Sequence, residues 1–399
     1  MSIKRIGILT GGGDVPGLNS VIKGVVYRAE PLGWEVVGIR RGWEGLTHLN
    51  LADPESRNTY IKTLDRANTR TIDRTGGTML HTSRTNPLRV RRLPGHLDPA
   101  LYPLLKTERK GVVSETYDVT LGVEANLKGL DVDYLVAIGG DDTLSYAAHL
   151  KSRGVKVVCI PKTMDNDVRN TEYCIGFSTA ITRAMDAVNR QRSTIGSHER
   201  LGIFRVFGRD AGYTALYTAY VTSARCAIPE YKFDLQLMID LLLADKRSNP
   251  SNYSIVILSE GAEWQGYEVT EYGEPDAYGH RKKFSVAESF SQAVTDGNKN
   301  RKSSVETVVS DLTYDLRSGE ADFLDKMIAS TFAGMAMDTI RNGGSGLMTG
   351  IVNGCYQMVE IPDPKLGPRT VDVDNMYNTA RYRPSYDNKL GLSVFLTKP

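Results

Sequence analysis

The chain has 399 residues, of which 41% are hydrophobic and 24% are charged, and its formal net charge is +2. This length suits two α/β lobes of ordinary size, and this composition excludes a disordered protein. The near-neutral charge disfavours a protein that binds nucleic acid or an anionic membrane, because both need a strongly basic surface.

The cysteines and the N-terminal residues bear on the compartment of the protein. Cys159, Cys174, Cys226 and Cys355 form no CxxC pair and no zinc-type spacing, which is typical of buried thiols in a reducing environment. The apolar run near the start is too short for a signal sequence, and no run approaches the length of a membrane span. The sequence therefore predicts a cytoplasmic protein that binds neither membranes nor nucleic acid.

The first 40 residues are typical of a β–α–β unit. Residues 5–10 (RIGILT) predict a buried strand, the glycine-rich residues 11–17 a turn, residues 18–29 a helix and residues 35–39 (EVVGI) a second strand. Such a unit indicates a parallel sheet with right-handed crossovers. The more polar, arginine-rich residues 50–115 predict loops and short helices inserted at the edge of the sheet.

Two further strands are predicted at residues 134–138 (YLVAI) and 156–160 (KVVCI). The first is followed by Gly-Gly-Asp-Asp-Thr at residues 139–143 and a helix at 144–150, and the second by residues 161–167 (PKTMDND). Ligands of open α/β sheets bind at the carboxyl ends of the strands. We therefore expect the loops after the first, third and fourth predicted strands to converge on one cleft.

A second lobe is predicted to begin near residue 176. Residues 179–192 are typical of a long helix, and residues 201–206 and 254–258 (SIVIL) of strands. The polar, Gly- and Tyr-rich residues 265–283 predict an excursion at the surface.

The glycine-rich turn at residues 11–17 is a candidate phosphate-binding loop. Glycines let backbone N–H groups approach a phosphate, and the following helix N-terminus favours negative charge. The turn matches neither the P-loop nor the GxGxxG pattern. A tight strand-to-helix turn without a ligand therefore remains open as the alternative.

The loops at residues 139–143 and 161–167 contain the candidate catalytic groups. Asp141 and Asp142 are adjacent carboxylates, which suit Mg²⁺ bound to phosphates, although a solvated turn that caps a helix is the alternative. Either Asp165 or Asp167 could accept a proton from a hydroxyl while Lys162 neutralises a phosphoryl group, although a surface turn is again possible. Arginines near turns or strand ends are candidate phosphate ligands, although each one alone is more often a solvated surface residue: Arg84, Arg200, Arg209 and Arg317.

Together these stretches resemble the phosphofructokinase family, from the first strand to about residue 346. The motifs that carry the resemblance are GGDVPGLN at 12–19, GGDDT at 139–143, PKTMDND at 161–167, FGRDAG at 207–212, Glu260 and YDLR at 314–317. The resemblance implies an α/β fold of two Rossmann-like lobes with parallel-rich sheets and an active site in the cleft between them. Residues 1–175 with about 316–375 would form the phosphoryl-donor lobe, and residues 176–315 with about 376–399 the sugar-phosphate lobe.

The resemblance also implies roles for individual residues. Asp165 would remove the proton from the sugar 1-hydroxyl, and Asp141 would hold Mg²⁺. Asp165 would share the catalytic work with Lys162, Asp142 and Arg209, and the donor phosphates would contact Gly12, Arg84 and Gly140. The sugar phosphate would be bound by Thr163, Asp167, Arg200, Phe207, Gly208, Arg209, Glu260, Tyr314 and Arg317. Within that set Arg200 and Arg317 would bind the 6-phosphate, with Arg200 reaching from the neighbouring subunit of a homodimer or homotetramer.

Two positions bear on the phosphoryl donor. Family members that use ATP have glycine where this chain has Asp142, and Asp142 together with Lys162 resembles the pyrophosphate-dependent type. A carboxylate there fills the space of the α-phosphate of ATP and repels a third phosphate. Lys162 would stabilise the departing phosphate. The expected reaction is a reversible, Mg²⁺-dependent transfer from pyrophosphate to fructose 6-phosphate.

Two departures from the family pattern concern the sugar. Val308 stands where the family has a phosphate-binding arginine, and Tyr314 stands where it has histidine. Either Arg301 or Lys302 replaces the missing cation, or the preferred sugar differs, with sedoheptulose 7-phosphate as a candidate. The remaining alternatives are an ATP-dependent phosphofructokinase, a related kinase of nicotinamide dinucleotide or lipids, and a catalytically silent regulatory subunit that binds sugar phosphate.

Overall fold

A computed structural model of the chain describes residues 5–109, 112–273, 281–298 and 305–385. In these residues the strands are β1 (Arg5–Thr10), β2 (Glu35–Ile39), β3 (Ile61–Leu64), β4 (Leu104–Arg109), β5 (Val112–Tyr117), β6 (Tyr134–Gly139), β7 (Val157–Pro161), β8 (Leu201–Val206), β9 (Arg225–Ala227), β10 (Ser254–Ser259), β11 (Glu271–Tyr272), β12 (Lys282–Lys283), β13 (Thr307–Leu312), β14 (Leu347–Val352), β15 (Cys355–Glu360), β16 (Tyr377–Asn378) and β17 (Arg383–Pro384). The helices are α1 (Leu18–Ala29), α2 (Trp43–His48), α3 (Pro54–Tyr60), α4 (Arg66–Thr69), α5 (Thr120–Gly129), α6 (Asp141–Ser152), α7 (Phe177–Ser197), α8 (Tyr213–Thr222), α9 (Leu235–Ser248), α10 (Val286–Asn298), α11 (Phe323–Arg341) and α12 (Val373–Met376).

The larger sheet has seven strands in the order β15-β14-β7-β6-β1-β2-β3. Its five inner strands are parallel, whereas the edge strands β15 and β3 pair antiparallel with their neighbours. The chain passes from β1 to β2 on one side and later to β6 on the other, so the strand order reverses between β1 and β6. A ligand crevice is expected at such a reversal, beyond the carboxyl ends of the strands.

Helices cover both faces of this larger sheet. Successive residues of β1 point to opposite faces, as the pleat of a strand requires. Ile8 belongs to a buried core shared with α1 and α11, and Leu9 belongs to a second core that contains Trp43 of α2 and Tyr146 of α6. Because β1, β6 and β7 are buried on both faces, they are almost wholly apolar.

The smaller sheet has four parallel strands in the order β13-β8-β10-β9. Helix α7 leads into β8 and packs against α8 and α11. One buried apolar cluster contains Ile160 of β7, Phe177 of α7 and Ile203 of β8, so the core is continuous between the two sheets. Strands β8 and β10 are parallel neighbours, and the loops after them leave the same edge of the sheet.

The predicted α/β architecture with parallel sheets is confirmed, and β1, α1, β2 and β8 have the predicted bounds. Helix α6 is longer than predicted, because Asp141 and Asp142 form its first turn, where the helix dipole favours carboxylates. Helix α7 also extends beyond the predicted range at both ends.

Residues 50–115 differ from the prediction of loops and short helices alone. They also contain β3, which pairs antiparallel with β2, and β4, which forms a hairpin with β5. The predicted surface excursion at 265–283 contains the antiparallel pair β11–β12, and its residues 274–280 lie outside the described part of the chain. The division into lobes at residues 175 and 316 stays a prediction. No helix within the described residues is both long and apolar enough to cross a membrane.

Candidate active site

The loops that follow β1, β6 and β7 meet at the carboxyl edge of the larger sheet. The backbone N–H of Gly11 donates to Ile138 O at 2.9 Å, and that of Lys162 donates to Gly139 O at 3.0 Å. The Lys162 ammonium donates to Gly13 O at 2.5 Å. The convergence predicted from the strand order is therefore present in the structure.

The glycines of these loops have two different functions. A Cβ on Gly11 would lie 2.5 Å from Thr143 Oγ1, and a Cβ on Gly139 would lie 2.3 Å from Thr143 Cβ. These two glycines therefore make room for Thr143, which is a packing function that needs no ligand. Gly12 and Gly13 instead face charged groups, because a Cβ there would lie 3.4 Å from Lys162 Nζ and 3.1 Å from Arg317 Nη1, respectively.

A second loop, residues 75–84, covers the glycine turn. Buried Asn19 accepts a hydrogen bond from Met79 N at 2.8 Å and so fixes this loop against α1. Thr82 Oγ1 donates to Gly12 O at 2.6 Å, and Gly12 N donates to Ser83 O at 3.0 Å. Arg84 is therefore beside the glycine turn, but a phosphate can use the Gly12 N–H only by displacing Ser83 O.

Asp141 lies close enough to two other carboxylates for their charges to act on it. Burial, followed by the charges of Asp167 and Asp142, raises the pKa of Asp141 to about 7. Burial also raises the pKa of Asp167 to about 6, although a hydrogen bond from Thr163 opposes this change. A divalent cation would relieve this crowding of negative charge.

The carboxylates near Asp141 suit Mg²⁺ that is shared with substrate phosphates better than a metal ion held by protein side chains alone. Within the described residues there is no group of three or more His, Cys, Asp or Glu side chains that could hold a metal ion. Mg²⁺ is usually bound through one or two carboxylates, with substrate phosphates and waters completing its coordination. Asp141 can supply such a carboxylate, and Asp142 and Asp167 are its acidic neighbours.

Asp165 has the environment of a base. Burial, followed by the charges of Asp167 and Glu260, raises the pKa of Asp165 well above its usual range, while Arg317 and Arg209 oppose this change. Its Oδ1 is buried and has no hydrogen-bond partner. A buried acceptor of this kind is free to take a proton from a substrate hydroxyl.

Lys162 is a cation with almost no access to solvent, since only 3% of the residue is exposed. Burial, followed by the positive charge of Arg317, lowers the pKa of Lys162 to about 8. Asp14 and Asp167 oppose this change. Its ammonium lies where a phosphate on the glycine turn would be neutralised.

Arg317 lies nearer to the glycine turn than the sequence suggests. Its guanidinium stacks 4.7 Å from the ring centre of Phe207 and 5.6 Å from that of Tyr314, which is 72% exposed. One of its nitrogens is 3.1 Å from the position of a Cβ on Gly13. In this structure Arg317 therefore contacts the glycine turn, and its predicted part in binding the 6-phosphate stays a prediction.

The smaller sheet contributes Glu260 and the Phe207–Arg209 loop. Gly208 has a φ of +126° and lies so close to Ser259 Oγ that a Cβ would be 2.3 Å from it. Glu260 Oε1 lies 3.6 Å from Arg209 Nη2. This packing brings Glu260 and Arg209 together beside Asp165, as their predicted roles require.

Arg205 is a residue that the sequence motifs miss. Its side chain is 11% exposed and lies 3.9 Å from Glu260 and 3.3 Å from Asp311. Its Nε is buried without a hydrogen-bond partner. In the sequence, Arg205 could have been noticed as the charged residue of the otherwise apolar strand β8. In the structure, it is a second cation beside Glu260.

Arg200 lies far from the other predicted site residues of its own chain, and its predicted reach into a neighbouring subunit stays a prediction. Arg200 precedes β8, whereas Arg209 follows that strand, so about 20 Å of strand separates the two ends. Its guanidinium pairs with Glu306 at 2.8 Å. Val308 lies at the same end of the sheet, paired in register with Gly202. Arg301 and Lys302, the possible replacements for the missing cation, lie outside the described residues.

Comparison with known proteins agrees with this geometry. The family model described as Phosphofructokinase matches residues 5–340. The pyrophosphate–fructose 6-phosphate 1-phosphotransferase of Dictyoglomus thermophilum is 32% identical over 94% of this chain and 96% of its own length. The enzyme of the same name from Thermoproteus tenax is 34% identical over 90% and 92%. The ATP-dependent 6-phosphofructokinase 3 of Streptomyces coelicolor is 31% identical over 92% and 96%.

A solved structure shows the same fold. The pyrophosphate-dependent phosphofructokinase of Marinobacter aquaeolei superposes with a TM-score of 0.72, at 18% identity, over 99% of this chain and 92% of that one. At this identity the likeness supports the fold only. The family match over residues 5–340, the relatives above 30% identity and the convergence of the motif loops together show that this chain is an enzyme, a phosphotransferase of the phosphofructokinase family.

Proposed function

We propose that the protein transfers a phosphoryl group from pyrophosphate to the 1-hydroxyl of fructose 6-phosphate, reversibly and with Mg²⁺. The products are fructose 1,6-bisphosphate and phosphate. The observation that carries the choice of donor is the buried ammonium of Lys162 against the glycine turn, with Asp142 in the first turn of α6. Relatives named for pyrophosphate and for ATP occur at similar identity, so their names do not decide the donor.

The charges at the donor end favour a small phosphate donor. Asp142 adds a carboxylate where the additional phosphate of ATP would lie. Two negative charges in close contact repel strongly in a partly dry site. Lys162 supplies a fixed cation for the phosphate that leaves. ATP remains the second candidate donor, because ATP-dependent relatives cover almost the whole chain.

Asp165 acts as the base for the sugar hydroxyl. Its unpartnered Oδ1 accepts the proton, and its raised pKa makes the carboxylate a stronger base than an exposed aspartate. Arg209 and Arg317 favour the ionised form that the reaction requires. The same group returns the proton in the reverse direction.

The remaining groups bind and orient the substrates. Mg²⁺ held by Asp141 would neutralise the donor phosphates. Glu260 and Gly208 hold the sugar, and Thr163 holds the Asp165 loop through a 3.1 Å hydrogen bond from the Asp165 N–H. Arg200 reaches the 6-phosphate of a neighbouring active site in a cytoplasmic dimer or tetramer, since it lies too far from its own.

Phosphorus NMR tests the reaction directly. Protein, Mg²⁺, pyrophosphate and fructose 6-phosphate should yield fructose 1,6-bisphosphate and phosphate, and the two products should regenerate the substrates. Sedoheptulose 7-phosphate serves as the comparison acceptor, because Val308 and Tyr314 depart from the family pattern. Faster turnover of the seven-carbon sugar would change the proposed acceptor, and no turnover of either sugar with pyrophosphate or ATP would contradict the proposed function.

A further inference from the structure

The segment Gly367–Val371, called the strap below, packs against the loop that carries Asp165. It lies beyond the residues that match the family model, which ends at residue 340. The chain enters it from β15 of the larger sheet and leaves it towards α12 and β16. Beyond the strap, Tyr377 Oη donates to Cys226 O of β9 at 2.6 Å, so this part of the chain joins the two sheets.

One side of the strap holds the Asp165 loop. The backbone N–H of Arg369 donates to Asp167 O at 2.6 Å. Its guanidinium Nη2 donates to Asn166 O at 2.6 Å and to Glu172 O at 3.2 Å. Asn166 has a φ of +53°, a left-handed conformation that asparagine tolerates better than most other non-glycine residues, and its side chain donates to Glu172 O and accepts from Cys174 N. Arg369 therefore ties down both residues that follow Asp165.

The other side of the strap holds the start of α8, directly after the loop that carries Arg209. The Arg369 guanidinium lies 4.5 Å from the ring centre of Tyr213, and Tyr213 Oη donates to Thr370 O at 2.5 Å. Glu230 Oε1 accepts from both Val371 N at 2.7 Å and Gly212 N at 2.9 Å. The strap thus connects the end of the Arg209 loop to the Asp165 loop.

We propose that Arg369 is a positioning residue, which holds the Asp165 loop and the Arg209 loop in the relative position that phosphoryl transfer needs. This inference rests on the proposed function, in which Asp165 is the base. The planar guanidinium suits the task, because it can donate to two carbonyls and stack on a ring at once. Displacement of a catalytic group by about 1 Å can slow a reaction by about 100-fold.

The test compares Arg369→Ala and Arg369→Lys with Arg383→Ala. Arg383 is a matched control, because it also lies in the C-terminal part and donates to Ser223 O and Asp245 Oδ2 at 2.9 Å each, without touching the Asp165 loop. Hydrogen exchange of residues 162–174 is measured by mass spectrometry, which needs no activity. The turnover number kcat, the KM values and the stoichiometry of fructose 6-phosphate binding by calorimetry are measured alongside.

We expect Arg369→Ala to accelerate exchange in residues 162–174 and to lower kcat by at least about tenfold, a modest share of the loss that misplacement can cause. The number of sugar sites per chain should stay unchanged, which separates misplacement from a loss of folded protein. Arg369→Lys keeps the charge but loses the planar guanidinium, so its exchange rate and kcat should lie between those of wild type and Arg369→Ala. It also supplies the comparison if the alanine variant does not fold.

Arg383→Ala should leave loop exchange and kcat near the wild-type values. Wild-type exchange and kcat in Arg369→Ala, or equal losses in Arg383→Ala, would overturn the proposal. If wild-type protein turns over neither pyrophosphate nor ATP, the proposed function fails. The exchange data then decide the strap separately, because faster exchange confined to the Arg369 variants supports its hold on the loop and equal exchange overturns it.

Discussion

At the residue scale, the proposed binding of the phosphoryl donor depends on the charge state of Lys162. An exposed lysine stays cationic throughout the range in which enzymes work, whereas burial lowers the pKa of Lys162 to about 8. The ammonium is therefore present below this pH and is lost above it. With Lys162 neutral, Arg317 and Arg84 would be left to offset the carboxylates beside the glycine turn, and the binding of phosphate would weaken.

This placement predicts a pH dependence. The ratio kcat/KM for pyrophosphate should fall as pH rises through about 8, because kcat/KM reports the free enzyme and the free enzyme loses its cation there. Lys162→Met should have a low kcat/KM without this alkaline limb. A profile of the wild type from pH 6 to 10 tests the prediction, and a flat profile beyond pH 8 would contradict it.

At the element scale, the strand-to-helix turns depend on how Thr143 packs. Gly11 at the end of β1 and Gly139 at the end of β6 both enclose its side chain, so these two turns are locked together by one small residue. The glycine patterns were visible in the sequence, but the sequence could not separate packing glycines from those that face the cleft. That distinction depends on which residue of α6 lies opposite.

Gly11→Ala should lower the free energy of unfolding by about 1–3 kcal/mol, because its Cβ would overlap Thr143 Oγ1 in a full core. Thr143→Ala removes the obstructing atoms. The Gly11→Ala change should therefore destabilise the Thr143→Ala background much less, which gives a clear coupling in a double-mutant cycle. Urea unfolding of the four proteins measures it, and additive losses would show that the two residues do not interact.

The elements with strong patterns were predictable, and the weak ones were not. The apolar runs of β1, β6 and β8 need no tertiary context, since strands buried on both faces are apolar throughout. Strand β3 is four residues long and only its last residue is buried, so its register comes from β2 rather than from its own sequence. The hairpin of β4 and β5 likewise lacks a short turn signal of the Asn-Gly kind.

At the whole-molecule scale, the site combines residues that the chain separates widely. Asp165 and Lys162 belong to recognisable motifs after a strand, and so they could be found from the sequence. The position of Arg205 beside Glu260 depends on the register of β8 with β10 and β13. The position of Arg369 depends on the path of a C-terminal segment that contains no motif. Neither dependence is encoded in a local pattern. If Arg200 binds the 6-phosphate, as proposed, its position requires a second chain.

Complementation between subunits tests that requirement. Arg200→Ala and Asp165→Asn should each be poorly active at low fructose 6-phosphate, the first for lack of a phosphate ligand and the second for lack of a base. Subunits of the two variants, dissociated and reassembled together, should recover activity, because mixed oligomers contain sites with both groups intact. Failure of mixed oligomers to recover any activity would mean that Arg200 does not act across the interface.

The proposed function depends most on the selection of pyrophosphate by Asp142 and Lys162. The most direct measurement is kcat/KM for pyrophosphate and for ATP, with fructose 6-phosphate and Mg²⁺, in the wild type and in the Asp142→Gly, Lys162→Gly double variant. We expect the wild type to use pyrophosphate at least about 100-fold better than ATP, since like-charge repulsion is worth several kcal/mol in a partly dry site. The double variant should gain activity with ATP. A wild type that prefers ATP would show that Asp142 and Lys162 do not select pyrophosphate.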